Sequence, residues 1–170
     1  MASCHGLRCH HPEVNDELTH VVFPLEVDDA GWPPVSSERV WAQFVAPELF
    51  RLVNAPWFAL GVAEGDVVRA VAAEADSWPV FVETVEWSGN CTLRVIPFRG
   101  GPLAGDQQAV LDLFLPVGVT GEGAGIYPIV ALTVPPNVDL TAVKALLREG
   151  VVDGRWDFEE GCVDDRWRAG

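Results

Sequence analysis

The chain has 170 residues, 49% of them hydrophobic, enough for one domain, or two small ones sharing an interface, with a core that needs no disulfide or metal. Its apolar runs are a handful of residues long and broken by Pro, Gly or a charge, whereas a membrane-spanning helix needs about 20 residues. Twenty-five acids against eleven bases leave a net charge of -14, a field that repels phosphate backbones and anionic headgroups; it excludes nucleic acid and membrane as expected partners and favours a basic protein or cationic ligand.

The first residues, MASCHGLRCHHPEV, carry no apolar core of signal-peptide length, and the four cysteines, Cys4, Cys9, Cys91 and Cys162, follow no regular spacing. Free thiols in a reducing cytoplasm are the expectation. Residues 1–19 read as a disordered arm. A first strand is expected from Val21 to Val27, ended by the turn residues of DDAGWPP at 28–34. The β-branched and aromatic content of Val40–Val45 predicts a second strand, able to pair as a hairpin with Leu49–Val53.

Asn54–Asp66, NAPWFALGVAEGD, reads as a shaped loop: Pro56 removes a backbone donor, and Gly61 and Gly65 permit positive φ. Its Trp57, Phe58 and Leu60 are too apolar to leave in water, and the expectation is that they cap one end of a small barrel or sheet. Val67–Val71 and Val80–Trp87 are predicted strands, the second alternating Phe81, Glu83, Val85 and Trp87 against Val80, Val82, Thr84 and Glu86. The short Ser88-Gly89-Asn90 turn predicts an antiparallel hairpin with Cys91–Pro97, where Cys91, Leu93 and Val95 share one face and Thr92 and Arg94 the other.

Helices enter only in the second half. Asp106 is placed to cap one that carries Val110, Leu111, Phe114 and Leu115 at helical spacing before Pro116. Gly118–Tyr127 is expected to be extended and Ile129–Val134 a strand. Asp139 caps a second helix with Leu140, Val143, Leu146 and Leu147 inward and Gly150 as its stop, and Arg155–Cys162 is the last strand. The fold class is therefore α+β: a small β-barrel or curled antiparallel sheet at 20–90, then a ferredoxin-like βαββαβ two-layer part at 91–163 packed closely on it, and a tail at 164–170.

Five blocks carry a family resemblance: SERVWA at 37–42, NAPWFALGVAEGDVVRA at 54–70, WSGNCTLRV at 87–95, VPPNVDLTAVKALLREG at 134–150 and GRWDFEEGC at 154–162. In this order the chain resembles the bacterial family known as domain of unknown function 4265, over roughly residues 20–163. The resemblance implies no activity and no catalytic residue.

Three kinds of candidate site stand out. Cys4, His5, Cys9, His10 and His11 are enough soft or borderline ligands for zinc or copper, although adjacent residues cannot easily all turn to one ion. Among the carboxylates, Asp66, Glu86 and Glu159 are the candidates for acid/base work of an isomerase or hydrolase type. A groove built from Trp57, Phe58 and Trp87 with Arg94 at its rim has the composition of a binding patch. No histidine after His20 is available as a base, GEGAG at 121–125 lacks the spacing of a phosphate loop, and Ser88 lacks the context of a nucleophile elbow. The leading expectation is a non-enzymatic binding or accessory protein, without cofactor, that engages a protein partner or small ligand.

Overall fold

The computed structural model describes residues 18–169. Its architecture is α+β, with mostly antiparallel sheets and a few short helices. The first sheet is a ring of five strands, β1 (Leu18–Pro24), β2 (Ser37–Ala46), β3 (Leu49–Leu52), β4 (Val67–Val71) and β5 (Val80–Glu86). Successive strands pair antiparallel, and the ring closes where β1 meets β5 in parallel at Val22 and Val80. Alternation decides what enters: Val21 and Phe23 on β1 and Val40 and Ala42 on β2 point into the core, with Leu52, Val68 and Ala70 beside them. The same parity turns Glu38, at the start of β2, inward and leaves it 7% exposed.

On β5 the expected alternation fails. Register shifts against β4 bring Phe81 onto the ring core and leave Val80, Val82 and Val85 exposed. A bulge places two residues of one strand opposite one of its partner, so the sides change within the strand.

The second sheet contains β6 (Cys91–Pro97), β7 (Thr120–Gly123), β8 (Val130–Val134) and β9 (Trp156–Cys162), in the order β7-β8-β6-β9 with every neighbouring pair antiparallel. Helix α1 (Gln107–Phe114) links β6 to β7, α2 (Leu140–Val152) links β8 to β9, and α3 (Asp165–Ala169) follows β9. Both expected caps are present: Asp106 accepts from the Gln108 and Ala109 N–H groups, and Asp139 from those of Thr141 and Ala142. The split faces of β6 are also as read, with Cys91, Leu93 and Val95 in a core shared with Val110, Phe114, Val143, Leu147 and Trp156.

Two expectations are corrected. β5 and β6 do not pair as a hairpin but belong to different sheets, because the connecting turn is held elsewhere: the Ser88 N–H donates to Asp66 Oδ1 and Asn90 Nδ2 to the Glu64 carbonyl. Gly150 does not end α2, which continues to Val152. Its hydrogen instead admits Trp156, whose indole Cε2 would lie 1.9 Å from a Cβ at that position.

The segment 54–66 lies between the sheets. Ala59 and Val62 join the ring core, while Thr92 Oγ1 donates to the Val62 carbonyl, Thr133 Oγ1 to Glu64 Oε2, and the Gly61 N–H to the Gly161 carbonyl. It is therefore a wedge joining the ring to the bare face of the second sheet, more than a cap on one barrel end, and Leu60, expected to be withdrawn from water, is instead exposed.

Candidate functional site

The turn Trp57-Phe58-Ala59 is gripped from both sides. From the ring, Glu38 Oε1 accepts from the Trp57 N–H at 2.6 Å, and Oε2 from those of Phe58 at 2.9 Å and Ala59 at 2.8 Å. From the second sheet, Arg94 Nη1 donates to the carbonyls of Trp57 at 3.2 Å and Phe58 at 2.9 Å. A carboxylate thus takes the amide side of the turn and a guanidinium its carbonyl side. Burial pulls the Arg94 pKa down, while Glu159 and Glu38 work in the opposite direction. Arg94 Nη1 is 3.7 Å from Glu159 Oε2. Gly161 lies against the other edge of the guanidinium, where Nε and Nη2 are buried without a hydrogen-bond partner.

This clamp sets one wall of a groove of about 630 Å³ at the junction of the ring and the second sheet. Its volume is within the range of small-molecule and peptide-anchor sites. Leu25, Trp32, Phe58 and Leu60 supply apolar surface, and Trp32 meets Phe58 edge to face with ring centroids 5.7 Å apart. Trp32 is positioned by a local loop in which Asp28 Oδ1 accepts from the N–H groups of Ala30 and Trp32. Glu26, Asp28 and Glu159 give the lining three carboxylates against the single guanidinium of Arg94, while Glu160 lines the groove but turns its carboxylate to Trp167 Nε1.

Of the expected binding residues, Phe58 and Arg94 line this groove together. Trp57 lies beside it in the clamped turn, its Nε1 donating to the Glu122 carbonyl. Trp87, 60% exposed, lines a separate cavity of about 230 Å³ with Cys162 and Asp164. The three candidate acids have different surroundings. Asp66 is buried, with Oδ2 accepting from the Ala63 N–H and Oδ1 from that of Ser88. Glu86 is exposed on β5 opposite Val67, and only Glu159 of the three lines the groove. His20 is on the outer side of the ring, tilted against Trp41 and edge-on to Trp78, its pKa lowered by burial and then by Arg39.

The cysteines Cys91 and Cys162 are buried and free. Burial raises the pKa of both, that of Cys162 to about 11 with Asp66 adding to the effect, so neither is poised as a thiolate. The N-terminal ligand set, Cys4, His5, Cys9, His10 and His11, lies outside the described residues. Among the described residues no group of three or more His, Cys, Asp or Glu side chains could hold a metal ion, and no helix is long and apolar enough to cross a membrane.

Sequence reading missed Glu38, Trp32 and Leu25. Glu38 is visible in the sequence only as part of SERVWA; the signal that finds it is its parity, since it precedes the inward Val40 and Ala42 in steps of two. Trp32 sat in a stretch read only as a turn.

No curated protein matches the chain. Among solved structures, a hypothetical protein from Neisseria gonorrhoeae is similar, with a TM-score of 0.65 at 18% identity, covering 90% of this chain and 96% of that one. At that identity the likeness speaks for the shared fold. The family model described as domain of unknown function (DUF4265) matches residues 38–158, a span that includes Glu38, the clamped turn, Arg94 and the first three residues of β9. The chain belongs to the DUF4265 family.

Proposed function

We propose that this chain is a binding protein whose junction groove accepts a cationic segment of a partner protein, a Lys or Arg residue beside an apolar side chain. The observation that carries this reading is the lining itself: Glu26, Asp28 and Glu159 around the apolar surface of Leu25, Trp32, Phe58 and Leu60. The local carboxylates add to a chain of net charge -14, which steers cations toward the groove. Phe58 and Trp32 are the contact residues in this proposal. Arg94 and Trp57 act as positioning residues, because the hydrogen bonds of Arg94 Nη1 hold the turn that presents Phe58. In the same reading, the ring is a small β-barrel and the β6-α1-β7-β8-α2-β9 part is ferredoxin-like, which would make the groove an inter-layer junction, a common place for ligand sites.

The test uses a short synthetic peptide of alternating Lys and Leu, labelled for fluorescence polarisation, with a Glu/Leu peptide as its control. Leu60 is 71% exposed, so Leu60→Lys adds a positive charge to the lining without disturbing the core. Binding of the Lys/Leu peptide alone, weakened about tenfold or more by Leu60→Lys and by added salt, is the expected outcome. Equal binding of both peptides, or no change in the variant, would sink the reading.

A further inference from the structure

On the opposite, helical side of β9 the charge reverses. A cavity of about 310 Å³ is lined by Lys144 and Arg148 from α2 and Arg168 from α3. A smaller one beside it, about 80 Å³, shares Lys144 and Arg148 and adds Arg166. The chain has only eleven Lys and Arg residues against twenty-five acids, and four of those eleven stand around these two adjoining hollows.

Self-neutralisation does not account for the cluster. Arg166 pairs with Asp164, and Arg168 makes an exposed pair with Asp165. Lys144 and Arg148 have no ion-pair partner among the described residues. Lys144 is held in place by other means: its ammonium donates to the Trp167 carbonyl and lies 5.0 Å from the centroid of the Trp167 ring. An ammonium has three donors, and that bond uses one of them. The one carboxylate in the lining, Glu160, accepts from Trp167 Nε1 at 2.7 Å. The rest of the wall is apolar, from Leu147, Phe158 and Trp167.

We propose that this cavity is an anion site for a small phosphate monoester with an apolar body. Lys144, Arg148 and Arg168 meet the phosphate by charge-assisted hydrogen bonds, and Phe158 and Trp167 cover the remainder of the molecule. The cavity volume lies at the small end of ligand sites, which suits a ligand of one ring and one phosphate.

Phenyl phosphate is the probe, phenol the uncharged control, and the full chain is used. The reporter is the indole N–H resonance of Trp167, identified by its loss in Trp167→Phe. A saturable shift with phenyl phosphate, absent with phenol and weakened when salt rises from about 20 to about 300 mM, is expected. Arg148 is exposed on α2, so Arg148→Glu keeps the fold, as an unchanged melting temperature will verify, and should raise the dissociation constant about tenfold or more. Arg99→Glu, an exposed change outside the cavity lining, should leave it unaltered. The proposal is overturned if no saturable shift occurs by about 20 mM ligand, if phenol shifts the resonance equally, or if Arg148→Glu binds like the unaltered chain.

Discussion

Replacing Glu38 by alanine is expected to remove about 3–5 kcal/mol of stability, a large part of the roughly 5–15 kcal/mol typical of a folded domain. The carboxylate is buried and accepts from three consecutive backbone N–H groups, those of Trp57, Phe58 and Ala59. Alanine leaves all three donors without that acceptor, and a buried group stripped of its partner costs about 1–3 kcal/mol. It also takes from Arg94 one of the two carboxylates that favour its charge. For a chain of this size the loss corresponds to a fall in melting temperature on the order of 10–15 °C. Glu38→Gln should lie between, since its amide oxygen can still receive Phe58 and Ala59 while its NH2 faces the Trp57 N–H. Arg94→Met removes the other half of the grip. The double variant should therefore lose less than the two single losses added together. Thermal or urea denaturation of the parent and the four variants decides the matter, and a Glu38→Ala chain melting within about 3 °C of the parent would show that the clamp carries no such weight.

Gly150→Ala should destabilise the chain by about 3 kcal/mol, with a melting temperature lower by roughly 10 °C. Helix propensity alone predicts the opposite sign, because alanine in a helix interior is favoured over glycine by about 1 kcal/mol. Packing reverses it. A Cβ at position 150 would lie 1.9 Å from Cε2 and 2.1 Å from Cζ2 of Trp156. That indole has little freedom to retreat: it is fully buried, its Nε1 donates to the Leu147 carbonyl, and Phe114 lies on one side with a ring separation of 5.7 Å. Glu149→Ala, one residue earlier and exposed, serves as the control and should change stability by no more than about 0.5 kcal/mol. If Gly150→Ala melts at or above the parent temperature, the close approach of α2 and β9 is not what requires glycine there.

The parts of the fold legible in the sequence are those decided within a few residues. Asp106 and Asp139 cap their helices because a carboxylate needs only the N–H groups two and three positions ahead. The two faces of β6 follow from strand alternation, and a core sheet respects it. Tertiary partners decide the rest. The turn at Ser88–Asn90 has the length of a hairpin turn, but its hydrogen bonds run to Glu64 and Asp66, so β5 and β6 separate. Gly150 resembles a helix stop by its position, and only the approach of Trp156 reveals its use. Of the site, Phe58 and Arg94 were legible as an aromatic and a cation with reason to meet. Glu38 was not, because the amides it serves are 19 to 21 positions further along the chain.

The wedge at 54–66 has a consequence for the chain's motions. Its backbone and neighbouring side chains bond both the ring and the second sheet, through Glu38 on one side and Thr92, Arg94 and Thr133 on the other. Neither layer can open while the other keeps that segment in place, so the two should exchange their protected amides as one cooperative unit. Native-state hydrogen exchange should find Phe58 and Ala59 among the slowest protons, released together with the core amides of β1 and β6. Release of the ring's amides at a distinctly lower free energy would mean two independent units in place of one.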